Sequence, residues 1–280
     1  ASLTNTGIMS NEGLLNAPHQ VEMAFSTLDQ IDKLTVKQKV SKIEAITAMI
    51  GSEWERPNKY KIVDGSGKEI FYAQEATGCC RRQLMHCGCG QCMSWEVRFF
   101  HSSPGWTSTK RDHVFDLHKP WQCSFCCFNI PKAHLKAAED GSDFGYLQEP
   151  CCSLCPRFTA HAPNGDTLVA ASSHPCQLGI YCPCPCGPCS KVTWDLTDGD
   201  GNDLGTVVKK IPLKWCKWLC PGQDIDYYHV DLSRLPNSNI KALVMALTVF
   251  IDFRFMAKED DHETVPELEG QQWVRFLPMI

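Results

Sequence analysis

Ala242-Leu-Val-Met-Ala-Leu-Thr-Val-Phe-Ile251 decides how this chain folds. The run is apolar on every side of a helical wheel, so it has no face to offer water and belongs inside something. As a helix it reaches only about 15 Å, half of the roughly 30 Å hydrocarbon core of a bilayer. Lys241 precedes it, and Asp252 and Arg254 follow within a few residues, which adds a charge cost to any spanning arrangement. The expectation is a core helix touched on all faces by other elements.

The upstream sequence supplies what encloses it. Val192-Thr-Trp194-Asp-Leu196 and Gly205-Thr-Val-Val208 flank Asp198-Gly-Asp-Gly-Asn202. Tyr60-Lys-Ile62 and Ile70-Phe-Tyr72 flank Asp64-Gly-Ser-Gly67 in the same way. His134-Leu-Lys-Ala with Phe144-Gly-Tyr-Leu, and Phe158-Thr-Ala-His with Thr167-Leu-Val, flank Asp140-Gly-Ser and Asn164-Gly165. Asp-Gly and Asn-Gly between alternating runs provide the positive φ that tight hairpins need. Leu34 to Val40 alternates with period two, a half-buried strand, and Ser41 to Ile50 carries isoleucines at helical spacing. Asp198 to Asp203 opens like a calcium loop, but its twelfth position is Lys209 and strands flank it, so a hairpin turn is expected. The organisation expected is a flexible arm over residues 1–27, one continuous antiparallel domain over 28–257, and an acidic tail over 258–280 with an apolar end.

Composition excludes some functions. The net charge of −5 gives no electrostatic case for nucleic-acid binding. No nucleophile elbow or phosphate-cradling glycine loop is present, so no enzymatic chemistry is expected. The cysteines say more: there are 18, clustered at Cys79–Cys80, Cys87/Cys89/Cys92, Cys123/Cys126/Cys127, Cys151/Cys152/Cys155 and Cys182/Cys184/Cys186/Cys189. Reduced or acylated thiols, a metal site and disulfides all remain open. Residues Ala1 to Gln20 have neither a basic n-region nor an apolar h-region, which disfavours a secreted disulfide scaffold. Cys182, Cys184, Cys186 and Cys189 form a dense cluster suited to zinc with help from Cys176, Cys151 or Cys155, to disulfides or to further acylation.

Several stretches, in order, carry a resemblance: Leu28-Asp-Gln-Ile31, Lys37-Gln-Lys-Val40, Asn58-Lys-Tyr60, Tyr72-Ala-Gln-Glu75 and Thr77-Gly-Cys-Cys80-Arg81. They continue with Lys119-Pro-Trp-Gln-Cys123-Ser-Phe-Cys-Cys127, Phe144-Gly-Tyr146, Pro156-Arg-Phe-Thr159 and Phe250-Ile-Asp-Phe253. The ordered set, collinear from about Leu28 to Met256, resembles the phospholipid scramblase family. That resemblance implies a fold like the tubby C-terminal domain: an all-β closed barrel of about twelve antiparallel strands enclosing one hydrophobic C-terminal α-helix. It also implies Ca²⁺-dependent, ATP-independent phospholipid scrambling between leaflets, with the barrel on the cytoplasmic side of a membrane, most naturally the plasma membrane.

The resemblance places Cys123, Cys126 and Cys127 where the family carries its palmitoylated run, although here the run gives way to Phe128-Asn-Ile-Pro131. Several adjacent acyl chains make a stable anchor where one would not. It places a calcium segment just before the C-terminal helix, where Asp224, Asp226 and Asp231 are the candidate ligands. Three carboxylates are few for an ion that takes six to eight oxygens. Two other classes stay open: a palmitoylated scaffold that binds protein partners, and a cysteine-rich metal-binding or disulfide-built structural protein.

Overall fold

The computed structural model describes residues 19–39, 57–77, 94–103, 110–122, 132–150, 156–181, 186–211 and 224–253. Twelve strands close into one antiparallel barrel. In chain order they are β1 (Lys33–Lys39), β2 (Lys59–Asp64), β3 (Glu69–Glu75), β4 (Trp95–Ser103), β5 (Lys110–Lys119) and β6 (Lys132–Ala137). The second half runs through β7 (Asp143–Gln148), β8 (Arg157–His161), β9 (Thr167–Ser173), β10 (Lys191–Thr197), β11 (Asp203–Lys210) and β12 (Asp224–Asp231). Each strand pairs with its sequence neighbour, and β1 closes on β12 from Lys33 opposite Asp231 to Lys39 opposite Asp224. Among the described residues three α-helices accompany the barrel: α1 (His19–Asp29), the single turn α2 (Leu178–Tyr181) and α3 (Ser238–Ile251).

All four expected hairpins form. At β2–β3 the Asp64 carboxylate accepts from the Ser66 N–H (2.8 Å) and hydroxyl (2.6 Å) and from the Lys68 N–H (3.0 Å), and Gly67 takes φ 86°. At β10–β11 Asp198 accepts from the N–H groups of Asp200 (2.9 Å) and Asn202 (2.8 Å), so the calcium-loop look-alike is a turn that uses its carboxylate internally. Alternation then sends Val192, Trp194 and Leu196 of β10 inward, each 0% exposed.

α3 fills the barrel. It is capped by Asn237, whose side-chain oxygen accepts from the Ile240 N–H (2.9 Å), and every residue from Lys241 to Ile251 is buried. Strands and α1 together enclose the helix, which is why the sequence is apolar all round. Thr248, the one hydroxyl in the run, donates to the Val244 carbonyl at 2.9 Å. Each large side chain buried here contributes about 1.5–3 kcal/mol.

The sequence predicts a flexible arm over residues 1–27, yet α1 begins at His19. Ala24, Phe25 and Leu28 lie on its inner side and join the core, with Phe25 edge-on to Phe144 at 6.3 Å. The buried Lys241 fastens α1 to α3: its ammonium donates to the carbonyls of Asp29 (3.0 Å) and Ile31 (2.7 Å). The expected helix from Ser41 to Ile50 lies outside the described residues.

Candidate functional site

Strand direction sorts the connections into two sets. Odd-numbered strands run toward one end of the barrel and even-numbered strands return from it. The connections β3–β4, β5–β6, β7–β8, β9–β10 and β11–β12 therefore share that end, and all 18 cysteines of the chain lie within them. The turns at the other end carry none. The connections that carry the cysteines thus all leave and re-enter the barrel at one end.

Cys123, Cys126 and Cys127 lie outside the described residues, but the chain leading to them is placed. β5 ends at Lys119 and delivers Trp121, 66% exposed, immediately before them. In the β9–β10 connection Cys176 is exposed, Cys186 is exposed and Cys189 is half-buried; Cys186 precedes a 3₁₀ turn over Gly187–Ser190 and Cys189 lies within it. Cys182 and Cys184 lie outside the described residues. Among the described residues no group of three or more His, Cys, Asp or Glu side chains is arranged to hold a metal.

The three carboxylates expected to share a calcium ion are separated. Asp224 starts β12 at the cysteine end, and Asp231 finishes it at the other. From Asp226 to Asp231 an extended strand covers about 16 Å, whereas calcium takes its oxygens at about 2.3–2.6 Å. Asp231 is also occupied: its carboxylate accepts from the Ser233 hydroxyl (2.7 Å) and N–H (3.1 Å), and that hydroxyl bond holds its carboxyl below the usual range. The segment is a strand, so Asp231 stands at the end of β12 away from Asp224 and Asp226.

The same end holds a polar cluster that no local sequence pattern marks. α3 runs up the barrel and ends at Asp252, a carboxylate only 3% exposed. Tyr60 from β2 and Tyr228 from β12 each donate a hydroxyl to it at 2.7 Å, one to each oxygen. The Lys209 ammonium from β11 stands 3.8 Å from it. A charge buried this far costs several kcal/mol without partners, and these three supply them. Beyond it the Phe253 ring stacks on Trp95 at 5.0 Å. The sequence cue was Asp252 itself, placed directly after the apolar run; nothing marked Tyr60 or Tyr228 as its partners.

The comparisons now bear on this geometry. Residues 11–258 match the family model described as Scramblase. The chain belongs to the scramblase family. It is 26% identical over 251 residues to phospholipid scramblase 1 of Mus musculus, covering 89% of this chain and 67% of that one. Against phospholipid scramblase 2 of Bos taurus it is 27% identical over 243 residues, 86% of this chain and 72% of the relative. Against Homo sapiens phospholipid scramblase 1 the figure is 26% over 251 residues, 89% and 69%. No solved structure matches the chain. Among the described residues no helix of this scramblase-family chain is long and apolar enough to cross a membrane.

Proposed function

We propose that this chain moves phospholipids between the leaflets of a membrane, without ATP and under calcium control, while held to the cytoplasmic face by acyl chains on Cys123, Cys126 and Cys127. The observation that carries the reading is family membership across residues 11–258. The gathering of every cysteine-bearing connection at one end supports it, because a single face then receives the anchor. No covalent chemistry on the lipid is involved. The barrel interior is filled by α3, so the lipid headgroup's path runs outside the barrel wall, where the protein lowers the cost of carrying a polar group through hydrocarbon. Asp224 and Asp226 at the cysteine end are the calcium ligands in this reading, and low affinity follows from so few charged oxygens.

Reconstitution into liposomes with a fluorescent lipid, bleached from outside, tests the transport. Calcium-stimulated loss of the inner-leaflet signal without ATP is expected. Its absence at full membrane binding would leave a lipid-anchored protein that acts through partners. Hydroxylamine should release the protein from cell membranes, and the Cys123→Ser/Cys126→Ser/Cys127→Ser variant should fail to attach. Calorimetry separates the carboxylates: Asp224→Asn/Asp226→Asn should abolish the calcium heat and Asp231→Asn should keep it.

A further inference from the structure

The strand ends at the cysteine end carry exposed cations, Lys59, Arg157, Lys191 and Lys210 among them. The turns at the opposite end carry Asp64, Asp140, Asp166, Asp198, Asp200 and Asp203. That opposite end mixes both signs, since exposed Lys33, Lys68, Lys110, Arg111 and Arg234 stand among its carboxylates.

One part of the rim is built in a way that stability alone does not favour. Lys191 and Lys210 stand directly opposite each other across β10 and β11. Like charges at such a cross-strand position destabilise a sheet. Beside them sits α2. Leu178 and Tyr181 are each 52% exposed, while Ile180 between them is buried and holds the turn down. Gln177 clamps the turn to β10: its amide nitrogen donates to the Thr193 carbonyl (2.7 Å) and its amide oxygen accepts from the Thr193 N–H (2.8 Å). Gly179 lies so close to β10 that a Cβ there would meet the Lys191 carbonyl oxygen at 2.4 Å. Two apolar side chains are therefore displayed on a rigid mount next to two adjacent cations, on the same end as Trp121.

We propose that α2 with Lys191 and Lys210 is a docking element for the anionic leaflet of a bilayer, separate from the acylated segment. Leu178 and Tyr181 enter the interfacial region, and the paired lysines take phosphate or carboxylate oxygens of anionic headgroups, which relieves their mutual repulsion. The proposal rests on the reading of the chain as a membrane-anchored scramblase and adds which side of the barrel meets lipid. Acidic residues after Lys258 follow from the same end in sequence, so substitution at the four named positions is the cleaner probe than net charge.

The test uses the full chain after hydroxylamine treatment, so that docking is read without acyl chains, sedimented with phosphatidylcholine vesicles with or without phosphatidylserine. Lys191→Gln/Lys210→Gln should weaken partitioning onto phosphatidylserine vesicles about 25-fold and leave phosphatidylcholine binding alone. Its thermal midpoint should hold or rise, since a repulsive pair is removed. Leu178→Ser/Tyr181→Ser should weaken binding to both vesicle types about tenfold. Met23→Ser, which alters an exposed side chain of α1 at the opposite end, should change neither. The proposal is overturned if the lysine variant binds phosphatidylserine vesicles like the parent, or if Met23→Ser weakens binding as much as the α2 variant. A parent that docks as described but moves no lipid would instead remove the transport reading and leave the docking element standing.

Discussion

Asp252→Asn removes one buried charge with almost no change of shape, and its cost can be worked from the contacts. A hydrogen bond to a charged group is worth about 1.5–3 kcal/mol and a neutral one about 0.5–1.5 kcal/mol, so weakening both tyrosine bonds costs about 2–3 kcal/mol. Lys209, with a side chain 8% exposed, also loses its counter-charge at 3.8 Å. Breaking a buried pair costs about 3–5 kcal/mol, and because the same carboxylate serves both interactions the total stays near about 3–5 kcal/mol. For a domain of this size that lowers the midpoint of thermal unfolding by about 10 °C. Urea titration followed by tryptophan fluorescence reads the same loss at constant slope. Tyr60→Phe alone should cost about 1.5–3 kcal/mol, and Asp252→Asn/Tyr60→Phe should cost less than the sum by about 1 kcal/mol or more, because both remove one interaction. A loss below about 1 kcal/mol for Asp252→Asn, or full additivity of the pair, would show that the cluster does not hold the end of α3.

Leu247→Lys places an unpaired charge in a closed core, and no folded protein should be recovered by size exclusion; a monodisperse variant with the parent's circular dichroism would put that face of α3 outside the barrel. Gly145→Ala should destabilise by about 1–3 kcal/mol in urea through overpacking, because the added Cβ meets the His161 carbonyl and the Leu243 side chain, each at 2.8 Å. A neutral outcome would mean that β7 and α3 pack less tightly than described. Burial holds His101, His118, His161 and His229 below the ordinary histidine value of 6.5. The unfolded chain therefore takes up protons first on acidification, and stability should fall from about pH 7.5 through pH 6.5 and level off below the folded values. A urea midpoint that rises over that window would contradict the burial of these rings.

The fold was legible where the chain speaks locally. Asp-Gly and Asn-Gly turns between alternating runs marked β2–β3, β6–β7, β8–β9 and β10–β11, and all-round hydrophobicity marked α3 as enclosed. Closure was not legible from local pattern, because β1 pairs with β12 almost two hundred residues away and no short-range signal encodes that contact. α1 was read as arm because His19, Gln20, Glu22 and Asp29 dilute its apolar side, and its burial is decided by contacts with α3 and β7. In β12 the alternation of buried Tyr228 and Val230 with outward Tyr227 and His229 was present in the sequence, and reading it as a strand would have separated Asp231 from Asp226 at once. The partnership of Tyr60 and Tyr228 with Asp252 depends on where three distant elements meet, which periodicity cannot express.

The position of α3 in the chain has a consequence for synthesis. The helix that fills the barrel follows β12, and β12 is also the strand that closes on β1, so both the seam and the filling emerge from the ribosome after every other strand. Until then the hairpins from β2 to β11 can pair only as an open sheet whose inner face displays Phe71, Phe99, Phe115, Phe158 and Trp194 to water. The nascent chain is therefore most exposed to aggregation just before β12 and α3 emerge, and a stop codon directly after Asp231 would yield the strands of the wall without the helix that fills it.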